Sequence, residues 1–217
     1  MFVYSLSGLD LTGDTGGAPI EIEDNETTAR TAVYQTFGRM LLPLDDETWD
    51  ITKGGGWTKE LDASGTLLAY SWKIGDQPAP ADRSAVASEY SVIDSALASG
   101  AYSDDVGKNR DEVVRFYEYF GLKTEVGDGA RPMDHLVTQI DFMQFLTYKE
   151  AASASERLRG SFRRAQIDFL DRQLSLWIPK MSERVAGSGS VFYGWATSAF
   201  ARYVEADHAY VKGLLGG

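Results

Sequence analysis

Two histidines and the carboxylates near them are where this chain could do chemistry. His135 follows Asp134 at the mouth of a long apolar stretch, and His208 lies beside Glu205 and Asp207. A histidine next to a carboxylate can serve as a general base. A carboxylate in a first helical turn meets unpaired N–H groups and the positive end of the helix dipole. Adjacent side chains on a helix diverge by about 100°, however, so Asp134 and His135 do not naturally hydrogen-bond to each other. The offsets around His208 are ordinary for a surface helix. The chain has no cysteine, which excludes disulfides, thiolate metal sites and cysteine nucleophiles. A histidine-rich metal site lacks material. The run Gly54, Gly55, Gly56 through Lys59 lacks the spacing of a phosphate loop. We expect no catalytic residues, no metal ligands, no cofactor and no enzyme activity.

The segment that positions Asp134 and His135 begins with a glycine-rich loop at 127–130 and passes through Arg131 and Pro132. Proline suits a first helical position, where its missing N–H has no partner to lose. That placement puts Asp134 in the first turn, either as a cap or as part of a recognition site. Leu136, Ile140, Met143 and Leu146 form one apolar face, and Val137, Phe142 and Phe145 widen it. A helix apolar round so much of its circumference belongs at the centre of a bundle.

The rest of the chain reads as helices separated by breakers. Apolar residues from Ala29 to Leu41 lie on one helical face, and Pro43 ends it. Asp45, Asp46 and Glu47 look like the acidic start of a short helix carrying Trp49 and Ile51. The stretch 57–72 has mixed helical character because Ser64 and Gly65 interrupt it. Residues 77–81, with Pro78 and Pro80, form a linker and a possible hinge. Helices follow at 82–97 and 108–119, then the central segment. A longer stripe from Leu158 to Met181 contains Pro179, which should kink it or end a segment. The last helix carries Phe192, Trp195, Phe200, Tyr203 and Val211. No stretch alternates with period two. The expected fold is all-α, a single-domain bundle of about six to nine helices spanning residues 1–217.

With 43% hydrophobic residues, the chain can bury a sizeable core. Its net charge of −11 argues against nucleic acid and favours a basic partner. The N-terminus has neither the basic region nor the apolar run of a secretory signal. No stretch approaches the roughly 18 apolar residues of a membrane span. The expected location is the cytoplasm, without stable membrane insertion.

The order of motifs resembles the TorD/DmsD/NarJ family of redox-enzyme maturation chaperones. Tyr117, Tyr119, Phe120 and Gly121 end one helix, and Arg131, Pro132, Asp134 and His135 open the next. Farther on come Phe169, Leu170, Leu174, Trp177 and Pro179, then Phe192, Tyr193 and Trp195. The correspondence covers 82–203; the part before it matches only in helical character. Arg131 stands where the family usually has Glu, and Gln173 where its downstream His is common.

The resemblance implies a TorD-like, all-α cytoplasmic chaperone. Its implied partner is the catalytic subunit of a molybdenum enzyme of the dimethyl sulfoxide reductase type. The chaperone binds the N-terminal twin-arginine leader, holds the apo-subunit during cofactor insertion, proofreads export and transiently contacts the export machinery. Arg131 and the acidic N-terminal region lean toward chaperones of periplasmic dehydrogenases or oxyanion reductases. A close alternative is a nitrate-reductase-type assembly chaperone whose client is not exported. From a different class, a small helical hydrolase or nucleotide-binding switch finds little support.

The implied peptide-binding residues are Arg131, Pro132, Asp134, His135, Tyr117, Tyr119 and Phe120. A cationic leader with an apolar segment calls for carboxylates beside an apolar groove. The acidic clusters at 21–24 and 45–47 could receive the arginines, although such clusters are more often solvated helix starts. Arg157, Arg159, Arg163 and Arg164 form a basic run. The i,i+4 spacing of Arg164, Asp168 and Arg172 points to a salt-bridged solvent face.

Overall fold

A computed structural model describes residues 25–122 and 131–215. The glycine-rich loop at 127–130 and the acidic cluster at 21–24 lie outside them. Among the described residues the regular structure is helical, and the one β-like feature is an isolated antiparallel bridge between Ala98 and His135.

The first helix, α1 (Glu26–Met40), starts at a reciprocal cap: the Asn25 side chain accepts from the Thr27 and Thr28 N–H groups, and Thr28 Oγ1 accepts from Asn25 N–H. Its buried stripe of Val33, Tyr34, Phe37 and Met40 packs mainly on α6 (Leu136–Ala151). That helix is buried almost all round from Leu136 to Thr147, as its apolar girth predicts.

Between them come two short helices, α2 (Asp46–Lys53) and α3 (Gly56–Ser64). The mixed stretch after Trp57 is therefore helical only as far as Ser64. Residues 71–80 carry no regular structure but are tied down. Arg202 donates to the Lys73 and Ile74 carbonyls at 2.7 and 2.8 Å, and the Gln77 side chain bridges Trp57 N–H and the Thr52 carbonyl.

Then α4 (Arg83–Ile93) runs into two 3-10 turns at Asp94–Leu97 and Ser99–Tyr102 before α5 (Val106–Tyr119). Gly121, at φ 69°, closes α5: its N–H bonds the Glu118 carbonyl, and the Leu122 N–H bonds that of Tyr117.

After α6 the chain forms α7 (Glu156–Phe169), a π-helical stretch at Leu170–Leu174 and α8 (Ser175–Gly187) without a break. Pro179 lies inside α8 rather than ending it. The ring cannot donate to the carbonyl four residues back, and the widened π turn sits immediately upstream, where the helix register changes. The last helix, α9 (Phe192–Leu215), packs along α8 and against α7.

Candidate functional site

Helix α6 does not open at Pro132. It opens at Leu136, and His135 is its N-cap, with Nδ1 accepting from the Val137 N–H at 3.1 Å. This corrects the expectation that proline takes the first helical position and Asp134 the first turn. Pro132 stands outside the helix, exposed, in a turn where its carbonyl accepts from His135 N–H and Thr138 Oγ1.

Asp134 is 1% exposed and ties three elements together. Its carboxylate accepts from the Gly100 N–H and from Arg110 Nε of α5, each at 3.2 Å. Its carbonyl accepts from the Ser99 N–H and from Gln139 Nε2. Gln139 Oε1 in turn accepts from Trp177 Nε1 at 3.3 Å, and Trp177 stacks on Tyr102. Asp134 and Trp177, from two separate motifs of the series, thus meet through one glutamine. Tyr117, fully buried, adds a further tie by donating to the Met133 carbonyl at 3.0 Å.

Burial governs the electrostatics here. His135 is pushed down to about 4, chiefly by desolvation and further by the Arg131 charge, so its cap nitrogen stays a neutral acceptor. Arg131 does not pair with Asp134. Its Nη1 lies 3.6 Å from Asp141 Oδ2, beyond hydrogen-bond range. Burial raises the Asp141 carboxyl to about 7, with Arg131 pulling the other way.

Tyr119 and Phe120 point elsewhere. They line a groove of about 800 Å³ between the C-terminal half of α5 and the outer face of α7, with Leu215 at one end. Phe116, Phe120, Leu158 and Phe162 are its apolar surfaces. Tyr119 is 83% exposed and Leu158 52%, unusually high for side chains of this size. The structure therefore separates the seven expected residues: Asp134, His135 and Tyr117 are committed inside, Arg131 and Pro132 lie at the turn before α6, and only Tyr119 and Phe120 face the groove.

Residues 95–183 match the family model described as nitrate reductase delta subunit. Three curated relatives agree with the match. A selenate reductase assembly chaperone protein of Thauera selenatis is 35% identical over 52% of this chain and 60% of its own. A perchlorate reductase assembly chaperone protein of Dechloromonas aromatica is 35% identical over 44% and 43%. A chlorate reductase assembly chaperone protein of Ideonella dechloratans is 33% identical over 37% and 42%. The chain thus spans about half the length of the curated relatives it matches. No solved structure matches. The resemblance to redox-enzyme maturation chaperones, drawn from the motifs, is borne out, as is the all-α fold.

The matched residues 95–183 hold the whole knot around Asp134 and, in α5 and α7, both walls of the groove. Gln173, which replaces the family's usual His, is buried in the π stretch and accepts weakly from Asn109 Nδ2 at 3.5 Å. The acidic cluster at the start of α2 is already engaged. Asp45 caps α2 through the Thr48 N–H, Asp46 pairs with Arg83, and Glu47 pairs with Arg39.

Sequence reasoning missed a buried ionic cluster linking α1, α6, α7 and α9. Arg30 donates to Asp207 through Nε at 2.6 Å and Nη2 at 3.0 Å, to Gln166 at 2.5 Å and to Glu150 at 3.3 Å. Tyr34 and Tyr70 also donate to Asp207, at 2.8 and 2.5 Å, and Arg163 pairs with Glu150. The available signal was position: Arg30 falls on the stripe of Val33, Tyr34 and Phe37, and Asp207 on that of Tyr203, Val204 and Val211.

Ser175, His208 and Asp171 also form a chain, with Ser175 Oγ 3.0 Å from His208 Nδ1 and His208 Nε2 2.9 Å from Asp171. The Ser175 N–H is itself bonded to carbonyls upstream, and Asp171 is shared with Lys212 at 2.7 Å. The chain of contacts pins α9 to the π stretch. Among the described residues no group of three or more His, Asp or Glu could hold a metal ion, and no helix is long and apolar enough to cross a membrane.

Proposed function

We propose that this chain is a cytoplasmic assembly chaperone for the catalytic subunit of an oxyanion-reducing molybdenum enzyme of the dimethyl sulfoxide reductase type. It binds the subunit's N-terminal twin-arginine leader and its apo-form, keeps that form competent for cofactor insertion, and delays export until insertion is complete. It performs no catalysis. The observation that carries this reading is that the matched residues 95–183 build both the Asp134 knot and the walls of an apolar groove left open to solvent. Selenate, perchlorate and chlorate, named in the relatives' descriptions, are all oxyanions, which supports this client class.

In this reading Tyr119 and Phe120 touch the client. Asp134, His135 and Tyr117 are positioning residues, because they tie α5, one wall of the groove, to the start of α6. Arg131 and Pro132 shape the turn beside them. The test is a titration of the purified protein with the apo-subunit, with and without its leader. Binding that weakens on leader removal supports the full reading. Equal binding without the leader supports the nitrate-reductase-type alternative, which the family description favours. Absence of binding to either form overturns both.

A further inference from the structure

The charges around the groove are not equally committed. On its rim, Arg172 pairs with both Glu112 and Asp168, and Asp171 is held by Lys212 and His208. The three acidic groups are thus neutralised from within the fold. Arg115 of α5 and Arg164 of α7 also line the groove, and both are exposed. Neither forms an ion pair with any described residue; Arg164 reaches only the Ser161 hydroxyl, at 3.3 Å. In a chain of net charge −11, the free charges facing this groove are cationic. The surfaces between them are aromatic and aliphatic, contributed by residues of α5 and α7, and an apolar groove lined by helices can receive the apolar face of an amphipathic helix.

Resting on the client-binding reading above, we infer that the groove between α5 and α7 receives an amphipathic helical segment of the partner whose apolar face is flanked by carboxylates, with Arg115 and Arg164 as their receptors. An arginine-rich leader is a poor match for this groove, since its guanidiniums would face Arg115 and Arg164 while the rim carboxylates are already paired. The occupant is therefore a segment of the mature subunit, and the leader is held elsewhere on the protein. Arginine suits the task because its planar fork can bind a carboxylate with two parallel hydrogen bonds.

The test uses two fluorescein-labelled amphipathic peptides with the same apolar i, i+3, i+4, i+7 pattern, one flanked by Glu and the other by Arg. Each is titrated into the full chain and followed by anisotropy. The Glu peptide should bind about tenfold tighter, and the preference should shrink at high salt. The double variant Arg115→Glu/Arg164→Glu should lose or invert it; both sites are exposed, and unchanged thermal unfolding would show that the fold is intact. Equal binding of the two peptides, tighter binding of the Arg peptide, binding of neither, or a preference that survives in the variant overturns the inference. So does self-association that is abolished by the double variant, since a second copy would then be the occupant. A parallel titration with the apo-subunit separates the two levels. If the wild type binds the subunit but shows no Glu preference, only this inference fails; if it does not bind the subunit, the chaperone reading fails.

Discussion

The guanidinium of Arg131 stands 3.6 Å from the buried carboxyl of Asp141, while Asp134, three residues from Arg131, pairs with Arg110 instead. The Asp141 carboxyl is raised to about 7 from an ordinary value of 3.8 because burial outweighs the pull of Arg131. As pH rises from about 4 to about 7, the unfolded chain therefore ionises at this position before the native one does, and native stability falls across that window. Asp141→Asn removes this loss. It should raise the melting temperature at pH values above the window, by a stabilisation on the order of a few kcal/mol, and change little below it. Thermal unfolding of both proteins across the pH range checks this.

Asp134→Ala has a different expected effect from the loss of a helix cap. The carboxylate is buried and serves the Gly100 N–H and Arg110, so truncation should cost about 2–3 kcal/mol rather than a helix-terminal fraction of that. Gly100→Ala should strike the same point from the other side. A Cβ there would lie 2.9 Å from Asp134 Oδ2 and 2.9 Å from Val106 Cγ1, a clash costing about 1–3 kcal/mol. Denaturant unfolding measures both, and a loss well under 1 kcal/mol in each would remove the knot as a stabilising unit.

His135 responds to acid. Its pKa is lowered to about 4 from 6.5, so the native state favours the neutral ring. The stability it contributes is complete above about 6.5 and is lost as pH falls toward 4. His135→Asn keeps an N-cap acceptor but cannot titrate. The variant should retain stability near neutrality and lose less of it on acidification. A pH–stability curve parallel to the wild type's through that window would contradict the assignment. Because Asp141 drives stability in the opposite direction over part of the same range, the two single variants are needed to separate them.

Removing one charge from the buried cluster should be costly. Asp207→Asn weakens the main partner of Arg30 in a site closed to water, with an expected loss of about 3–5 kcal/mol. Combining it with Arg30→Met should recover part of the loss, because the uncompensated charge is gone. A double-mutant cycle on unfolding free energies reads the coupling directly.

At the groove the expectation reverses, with binding affected and folding spared. Leu158→Glu and Tyr119→Ser alter side chains that are already mostly in water, so stability should change by no more than about 0.5 kcal/mol. Binding of the apo-subunit should weaken several-fold in each. Variants that bind like wild type would move the client surface away from α5 and α7.

Much of the architecture was legible because its causes are local. Breakers such as Pro43 and Gly121, caps such as Asn25 and Asp45, and the apolar girth of 136–147 each act within a turn or two of chain, and the helices stand close to where those signals place them. The start of α6 misled because Pro132 fits a helix entrance by its own geometry, while the cap at His135 is selected by Ala98 and Ser99 pairing with the segment from across the chain. The stripe from Leu158 onward had the right period, but period cannot tell a core face from one left open; Phe169 is buried and Leu158 is not. Sequence alone determined a helical fold, its principal breaks, and motifs that carry a family resemblance. Only tertiary structure decided that Asp134 and His135 face inward, that Arg131 meets Asp141, and that Arg30 finds Asp207 across 177 residues of chain. The physical reason is the same in each case: burial and pairing depend on which distant groups arrive at the same place, and no local pattern encodes that arrival.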